Sequence, residues 1–415
     1  MKITEVLYNL AINLGLPLAA ASTYFSFRAR RPFRALKNKF SSPLIEDDRP
    51  VDFWLHGASV GEQMLVRRLL DWLIEFGVPG EHILVSAQTF SGLKCIAHPR
   101  KIILPHDYSW LVKDLCRRIA ARHVLVLETE IWPNFYRYNS GKVSILNARM
   151  KEESYRSYRR LSSLVKAALS HCRAVMARSD DDRDRFAKFA SSDLQLKAAG
   201  CMKWLGLLDK VKLEEKKVFS SSRPVLVAGS TQPGEEEKVL DLVEQKDCLL
   251  YLAPRHLSRI GEVKKMLGER GLRFKLWSQV NGSYDGRVII VDRMGILGGL
   301  YGLGDIAFVG GTWNQKIGGH NLLEPLACEV PVISGPYLHN VQETADQLLG
   351  VGLLCKAEDE ADWPAAYERG LSSRGSEFEA ALANMRMKAE EIKLSYRNFL
   401  KNLVEECDVS GGKLV

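Results

Sequence analysis

Two short stretches hold the residue types best suited to acid and base chemistry. The first is "HGASVGE", residues 56–62, where an apolar run gives way to small residues and then Glu62. Gly57 and Gly61 permit tight backbone geometry, and a helix starting near Val60 aims its free N–H groups back at the loop. Such an end favours an anion. Glu62 can supply that anion as a cap, or can act as a base; this stretch alone leaves both readings open. The second is "ETEIWPN", Glu128 to Asn134, after the run "HVLVL". In a strand Glu128 and Glu130 point to one side. Carboxylates close to Glu62 raise one another's pKa, which suits general acid–base work, or bind sugar hydroxyls.

The second half carries three further stretches. "GSTQPGEEE" offers Ser230 and a proline near a helix start, a turn able to face phosphate. "APRH" puts Arg255 and His256 at the end of "CLLYL", where a cation can hold a phosphate; taken singly, a histidine such as His256 is more often a satisfied loop residue than a catalyst. "VGGTWNQKIGGHNLLEP" contains Gly310, Gly311, Gly318 and Gly319, then Asn321 and Glu324 entering a helix. Glycines let backbone approach a ligand, a helix end meets phosphate, and a carboxylate one turn in binds ribose hydroxyls. Neither GxGxxG nor GxxxxGK[ST] is matched, so this nucleotide signal is of another type.

Short β-rich runs alternate with longer helical patterns and position these stretches. The runs are "VDFWL", "HILVSA", "KIIL", "HVLVLE", "KVSIL", "AVMA" and "LQLKA", then "PVLVAGS", "CLLYLAP", "RFKLW", "RVIIVD", "DIAFVGG", "VPVIS" and "GLLCK". Between them lie segments such as "EQMLVRRLLDWLIEF", apolar at helical spacing. The alternation predicts parallel sheets covered by helices. At 415 residues the chain exceeds one ordinary core. The charged, serine-rich "LLDKVKLEEKKVFSSSRP" reads as a linker. We expect a first Rossmann-like domain over 46–212, a second over 213–385 and a helical tail over 386–415. Twin domains of this kind place ligands at the carboxyl ends of the strands, in the cleft between them.

The net charge is +8, and residues 1–50 hold eight basic and four acidic side chains. No arginine-rich stripe interleaved with aromatics accompanies it, so no nucleic-acid partner is expected. Residues 6–27 lack charge, and Arg28, Arg30, Arg31, Arg34, Lys37 and Lys39 follow. We read residues 1–45 as a membrane anchor and basic stretch, either spanning or lying in the interface, with the body on the cytoplasmic side. Eight scattered cysteines without a CxxC pair predict buried thiols in a reducing compartment. Unclustered histidines and the absence of HExxH or paired-aspartate patterns give metal chemistry no support.

Together "HGASVGE", "ETEIWPN", "GGHNLLEP" and "SGPYLHN", with "NARM" and "GCMK" as weaker agreement, resemble one family, in order and spacing. These are the Kdo (3-deoxy-D-manno-octulosonic acid) transferases of lipopolysaccharide synthesis, glycosyltransferases of the two-domain GT-B type. The resemblance implies transfer of Kdo from CMP-Kdo to a lipid A precursor (lipid IVA), with inversion at the anomeric carbon and no metal or other cofactor. It also implies work at the cytoplasmic face of the inner membrane. It marks Glu62 as the general base, Glu128 as the second active-site acid and Lys203 as a basic partner in the donor site. Ser230, Arg255, Gly318, Gly319, Asn321 and Glu324 match positions that hold CMP. The chain departs from the family pattern at Gln232 (usually His), Trp204-Leu205 (usually Phe-Asp), Ile296 (commonly Glu) and Val341 (Phe). These departures, mostly in the donor half, keep a GT-B transferase using a UDP-sugar as the alternative. Arg149, Arg156, Arg159 and Arg160 read equally as a lipid A phosphate contact or as a solvated helix face.

Overall fold

The computed structural model describes residues 3–15, 39–41, 49–211, 223–280 and 284–411. Most of the basic stretch, from Arg28 to Lys37, and most of the expected linker lie outside them. Two compact units emerge: Met1–Lys203 together with Ile392–Val415, and Trp204–Glu391.

In the first unit seven strands form one wholly parallel sheet: β1 Phe53–His56, β2 Ile83–Ala87, β3 Lys101–Ile103, β4 His123–Leu127, β5 Val143–Ala148, β6 Cys172–Ala177 and β7 Gln195–Ala198. Their order is β3-β2-β1-β4-β5-β6-β7. Strands β1, β2, β4 and β5 are buried along their whole length, because helices cover both faces. That is why they read as continuous apolar runs rather than as alternations. The described helices are α1 Ile3–Leu14, α2 Val60–Glu75, α3 Phe90–Lys94, α4 Ser109–Ile119, α5 Pro133–Tyr138, α6 Glu152–Arg160, α7 Ser162–Leu169 and α8 Asp180–Ala187. Helix α2 buries Leu65, Val66, Leu69, Leu70, Trp72 and Leu73, each worth roughly 1.5–3 kcal/mol over exposure.

The second unit repeats the plan with β8 Val225–Thr231, β9 Leu249–Pro254, β10 Phe274–Leu276, β11 Val288–Ile290, β12 Ile306–Val309, β13 Val332–Ser334 and β14 Leu354–Lys356. The order is β10-β11-β9-β8-β12-β13-β14, again parallel. Its helices are α9 Glu235–Gln245, α10 Ile260–Glu269, α11 Leu297–Tyr301, α12 Leu323–Ala327, α13 Gln342–Gly350, α14 Trp363–Ser372 and the start of α15 Ser376–Gly411. In the first sheet the connections diverge between β1 and β4; in the second β11 inserts between β9 and the edge strand β10, and connections also diverge between β8 and β12. Loops leaving those neighbouring strands are brought together at their carboxyl ends.

Two expectations about organisation differ from the structure, and most of the expected anchor, residues 16–27, lies outside the described residues. The unit boundary falls at Lys203–Trp204 rather than 212–213. Met202 N donates to Asn147 Oδ1 in the first unit, whereas Gly206 packs against Leu323 of the second. The last helix is no appended tail, since from Ile392 onward it belongs to the first unit. There Tyr396, fully buried, donates to Gly200 O at 3.0 Å and accepts from Asn147 N at 3.2 Å. At the amino terminus, α1 has 12 residues, and no helix among the described residues is long and apolar enough to cross a membrane.

Gly200 has φ +86°, and a Cβ there would overlap the Ile392 side chain. Gly200→Ala therefore combines left-handed strain with overpacking. It is expected to cost about 2–4 kcal/mol of unfolding free energy, read by denaturant titration.

Candidate functional site

Strands β1 and β4 pair directly, with His56 opposite Val126. The loop after one carries Glu62 and the loop after the other carries Glu128 and Glu130. Gly57 has only 3.0 Å from an added Cβ to Val66 and 3.1 Å to the Glu62 Cβ, so its missing side chain admits the first turn of α2. Ser59 is the N-cap, its Oγ accepting from Glu62 N at 3.3 Å. Glu62 answers reciprocally: Oε2 accepts from Ala58 N and Oε1 from Ser59 Oγ, each at 2.7 Å. This is a capping-box arrangement. Both readings of Glu62 thus meet in one side chain, capped at its base yet half-buried at the strand ends.

Burial raises the Glu62 pKa above 4.5; the Ser59 and Ala58 hydrogen bonds oppose that, and the Glu128 carboxylate adds to it. Glu130 is also raised, first by burial, then by Glu62, with Glu128 adding; the Trp132 indole and Lys39 oppose it. Trp132 Nε1 donates to Glu130 Oε2 at 2.9 Å. Lys203 Nζ lies 4.0 Å from Glu128 Oε1. Three carboxylates and two lysines therefore share one field. Lys203 stands in the first unit with the acids, within the first domain expected from the sequence.

The shared strand face expected for Glu128 and Glu130 is not how they come together. Strand β4 ends at Leu127, and Glu128 has φ +57°, which breaks the alternation. The loop is held instead by Glu128 N donating to Leu146 O at 2.9 Å, and by Thr129 Oγ1 bonding both Arg149 O and Arg149 N.

Lys39 is a residue that composition hid among the cations of the basic stretch. It is 6% exposed, and its Nζ donates to Gln88 Oε1 and to Leu104 O. Burial lowers its pKa to about 8, with Glu130 opposing. Beneath it His56, fully buried, is pushed down to about 3 by burial and then by Lys39. His56 is therefore neutral, with Nδ1 on Ser86 Oγ at 2.8 Å.

In the second unit β8 lies between β9 and β12. Ser230 has φ +57° at a register shift in β8. Arg255 N donates to Thr231 O at 2.9 Å, tying the "APRH" loop to the "GST" loop. His320 feels burial first, then Arg255 and His256, all lowering its pKa. Glu324 is raised by burial and lowered by Asn321 and Arg255. These four ionisable groups thus form one cluster. Asn321 Oδ1 accepts from Leu323 N and its amide donates to Glu324 Oε1, both at 3.1 Å. Gly318 (φ +71°) and Gly319 (φ +98°) make the turn before them. Gly319 N donates to Gly311 O, and Asn340 Nδ2 to Gly319 O.

In the turn after Ser230 one backbone amide, that of Gln232, is already taken. Glu235, 1% exposed, accepts from Gln232 N, Gly311 N and Trp313 N at 2.7–2.8 Å. This carboxylate clasps the β8 and β12 loops together. The departures from the family pattern are mostly packing residues. Trp204, Leu205 and Ile296 are buried, and Gln232 Nε2 lies 2.9 Å from His320 Nε2. Among the described residues no group of three or more His, Cys, Asp or Glu side chains is arranged to hold a metal ion. Arg156 pairs with Glu152 on the exposed face of α6, and Arg149 lies beside the Thr129 loop through its backbone.

A raised folded-state pKa means that ionising Glu130 weighs against the fold once pH rises through that value. Glu130→Gln is expected to stabilise the protein at pH 7, on the order of 0.5–1 kcal/mol. The gain should disappear below about pH 4.5, where the carboxyl is protonated folded and unfolded. Unfolding midpoints across that range provide the check.

The family model for 3-deoxy-D-manno-octulosonic-acid transferase (kdotransferase) matches residues 27–205. The 3-deoxy-D-manno-octulosonic acid transferase of Chlamydia trachomatis serovar A is 30% identical over 324 residues, 74% of this chain and 74% of that one. A bifunctional glycosyltransferase/methyltransferase of Fusobacterium nucleatum is 31% identical over 374 residues, 84% of this chain. The chain spans 58% of that relative's length. Among solved structures, a UDP-N-acetylglucosamine 2-epimerase aligns with a TM-score of 0.53 at 12% identity, covering 88% of this chain and 98% of that one; that is a likeness of fold alone. Two parallel-sheet α/β units with acidic and basic side chains gathered at their switch points, and these sequence relationships, place the chain in the Kdo transferase family of glycosyltransferases.

Proposed function

We propose that this protein transfers Kdo from CMP-Kdo to a sugar hydroxyl of a lipid A precursor such as lipid IVA, with inversion and without a metal, as a GT-B enzyme. The observation that carries this reading is the half-buried Glu62 in the field of Glu128 and Glu130 at the carboxyl ends of β1 and β4. A carboxylate of raised pKa that keeps access to solvent is a competent general base near neutral pH.

Glu62 takes the proton of the acceptor hydroxyl as its oxygen attacks the anomeric carbon. The bond from that carbon to the phosphate oxygen breaks, and CMP leaves with the electron pair. One displacement inverts the centre and needs no covalent enzyme intermediate. Lys203, held by Glu128, offers a cation for the Kdo carboxylate. In the second unit Arg255 and His256 provide positive charge for the CMP phosphate, and Ser230 with the Gly318–Gly319 turn brings hydroxyl and backbone close to it. Asn321 and Glu324 are placed for ribose hydroxyls. The lipid acceptor, the apolar residues 6–27 and the cations after them support work at the cytoplasmic face of the inner membrane. The burial of Trp204, Leu205 and Ile296 assigns those departures to packing, so they do not favour a UDP-sugar.

Incubation with CMP-Kdo and a tetraacylated lipid A precursor, followed by mass spectrometry, tests the reading. A product heavier by one or more Kdo residues is expected; no mass increase while CMP binds would overturn it. Glu62→Gln should lower transfer by about 10²–10⁴-fold and change CMP affinity by less than about twofold, because the base acts on the acceptor. Arg255→Ala should weaken CMP binding about 10- to 100-fold, as loss of a charge-assisted hydrogen bond does. Since burial raises the Glu62 pKa from its ordinary value of 4.5, the acid limb of the rate profile should lie above pH 4.5 and vanish in Glu62→Gln.

A further inference from the structure

Helix α1 is polar on the face that meets the protein and apolar on the face that does not. Glu5, Tyr8 and Asn9 share one side, three and four residues apart. Tyr8 Oη donates to Asp107 Oδ2 at 2.9 Å. Asn9 and Asn134 exchange amide hydrogen bonds, at 2.8 Å toward Asn9 and 3.3 Å toward Asn134. Glu5 stands 3.4 Å from Arg137 and 3.7 Å from His171. On the opposite side Leu7, Leu10 and Leu14 are 59%, 56% and 81% exposed. A surface helix ordinarily has the reverse polarity. Ile12 adds an apolar, half-buried side chain to the docked face, and directional bonds contribute strongly to where α1 sits.

The partners of those bonds hold the acid loop. Asp107 is 2% exposed and closes the first turn of α5, Oδ2 accepting from Asn134 N at 2.9 Å and Oδ1 from Phe135 N at 2.8 Å. Asn134 Nδ2 also donates to Asp107 O at 2.6 Å. Helix α5 starts at Pro133, immediately after Glu128–Trp132. The upstream end of that loop is fixed by Leu146 and Arg149, and the downstream end by Asp107 and Asn134. Tyr8 and Asn9 bond to those last two residues.

We propose that Tyr8 and Asn9 are positioning residues for the transfer reaction, setting the Glu128–Asn134 loop through Asp107 and Asn134 and with it the distance of its carboxylates from Glu62. The inference rests on the reading of Glu62 as the base. It gives the amino-terminal helix a part in catalysis that is separate from holding the protein at a membrane. Removing the Tyr8 hydroxyl withdraws one of three donors from a buried carboxylate, and removing the Asn9 amide leaves Asn134 half-satisfied. Displacements of an ångström at a reacting group are enough to slow a reaction many-fold.

The test compares full-length Tyr8→Phe/Asn9→Ala with Leu7→Ser/Leu10→Ser/Leu14→Ser, using lipid A precursor dispersed in detergent and saturating CMP-Kdo. The first variant should lose about tenfold in kcat with the donor KM within about twofold of the original. The second should keep its kcat in detergent and differ only on vesicles of phosphatidylethanolamine and phosphatidylglycerol. Should the double variant not fold, Tyr8→Phe alone is read in the same way. An original kcat in the Tyr8/Asn9 variant, or a loss shared equally by kcat, donor KM and the unfolding midpoint, overturns the inference. Glu62→Gln, run alongside, separates the two claims. If it is inactive while the Tyr8/Asn9 variant is normal, only the positioning role fails; if it is active, the base reading fails.

Discussion

Like-charge crowding governs the first unit. Glu62, Glu128 and Glu130 arrive from two loops at the ends of paired strands, where partial burial makes every charge costlier than in water. The arrangement stands because each acid is answered: Glu62 by Ala58 N–H and the Ser59 hydroxyl, Glu128 by Lys203, Glu130 by the Trp132 indole and Lys39. For Glu62 and Glu130 the answers are incomplete, and burial leaves both carboxyls more basic than usual. The second unit shows the contrasting case. Glu235 is more deeply buried, and burial raises its pKa too, but three backbone N–H groups occupy its oxygens, so it works as a clasp between loops. Acids of the same type thus divide into chemistry and scaffold by how fully their lone pairs are used.

Strand order brings the groups to their places. In both sheets the reversal of winding sets side by side two loops that are far apart in sequence: Glu62 with Glu128, and Ser230 with the Gly310–Glu324 segment. Backbone at positive φ, at Glu128 and Ser230, then turns the chain out of the strand where the functional side chains begin. Such conformations are costly for residues with a Cβ and persist only where surrounding bonds enforce them. Here Leu146 O, Arg149 and the neighbouring loops supply those bonds.

Much of this was legible in the sequence. All fourteen described strands were visible as β-rich runs; the central ones are buried on both faces and cannot alternate, whereas the edge strand β7 alternates in exposure. The loops after them stood out because small residues and acids there have no role in a core. What escaped depended on tertiary partners. The alternation rule placed Glu128 and Glu130 together for the wrong reason, since a positive φ is invisible in a one-letter code. Lys39 looked like one more cation of a basic stretch until its burial beneath Glu130 set it apart. Nothing local to the Ser230 turn showed that Glu235 would take the Gln232 amide and tie the turn to Gly311 and Trp313. Helix α1 read as part of an anchor from its leucines, while the polar residues that dock it, Tyr8 and Asn9, found their partners roughly a hundred residues away.

The central claim is that Glu62 owes its basicity to burial and to the acids beside it. Carbon-detected NMR titration of glutamate side-chain carboxyls, with the Glu62 signal assigned by its absence in Glu62→Gln, measures this directly. The account predicts a Glu62 midpoint above the ordinary value of 4.5 that falls when Glu128 is replaced by Gln. A midpoint at or below the ordinary value, unmoved by Glu128→Gln, would contradict it.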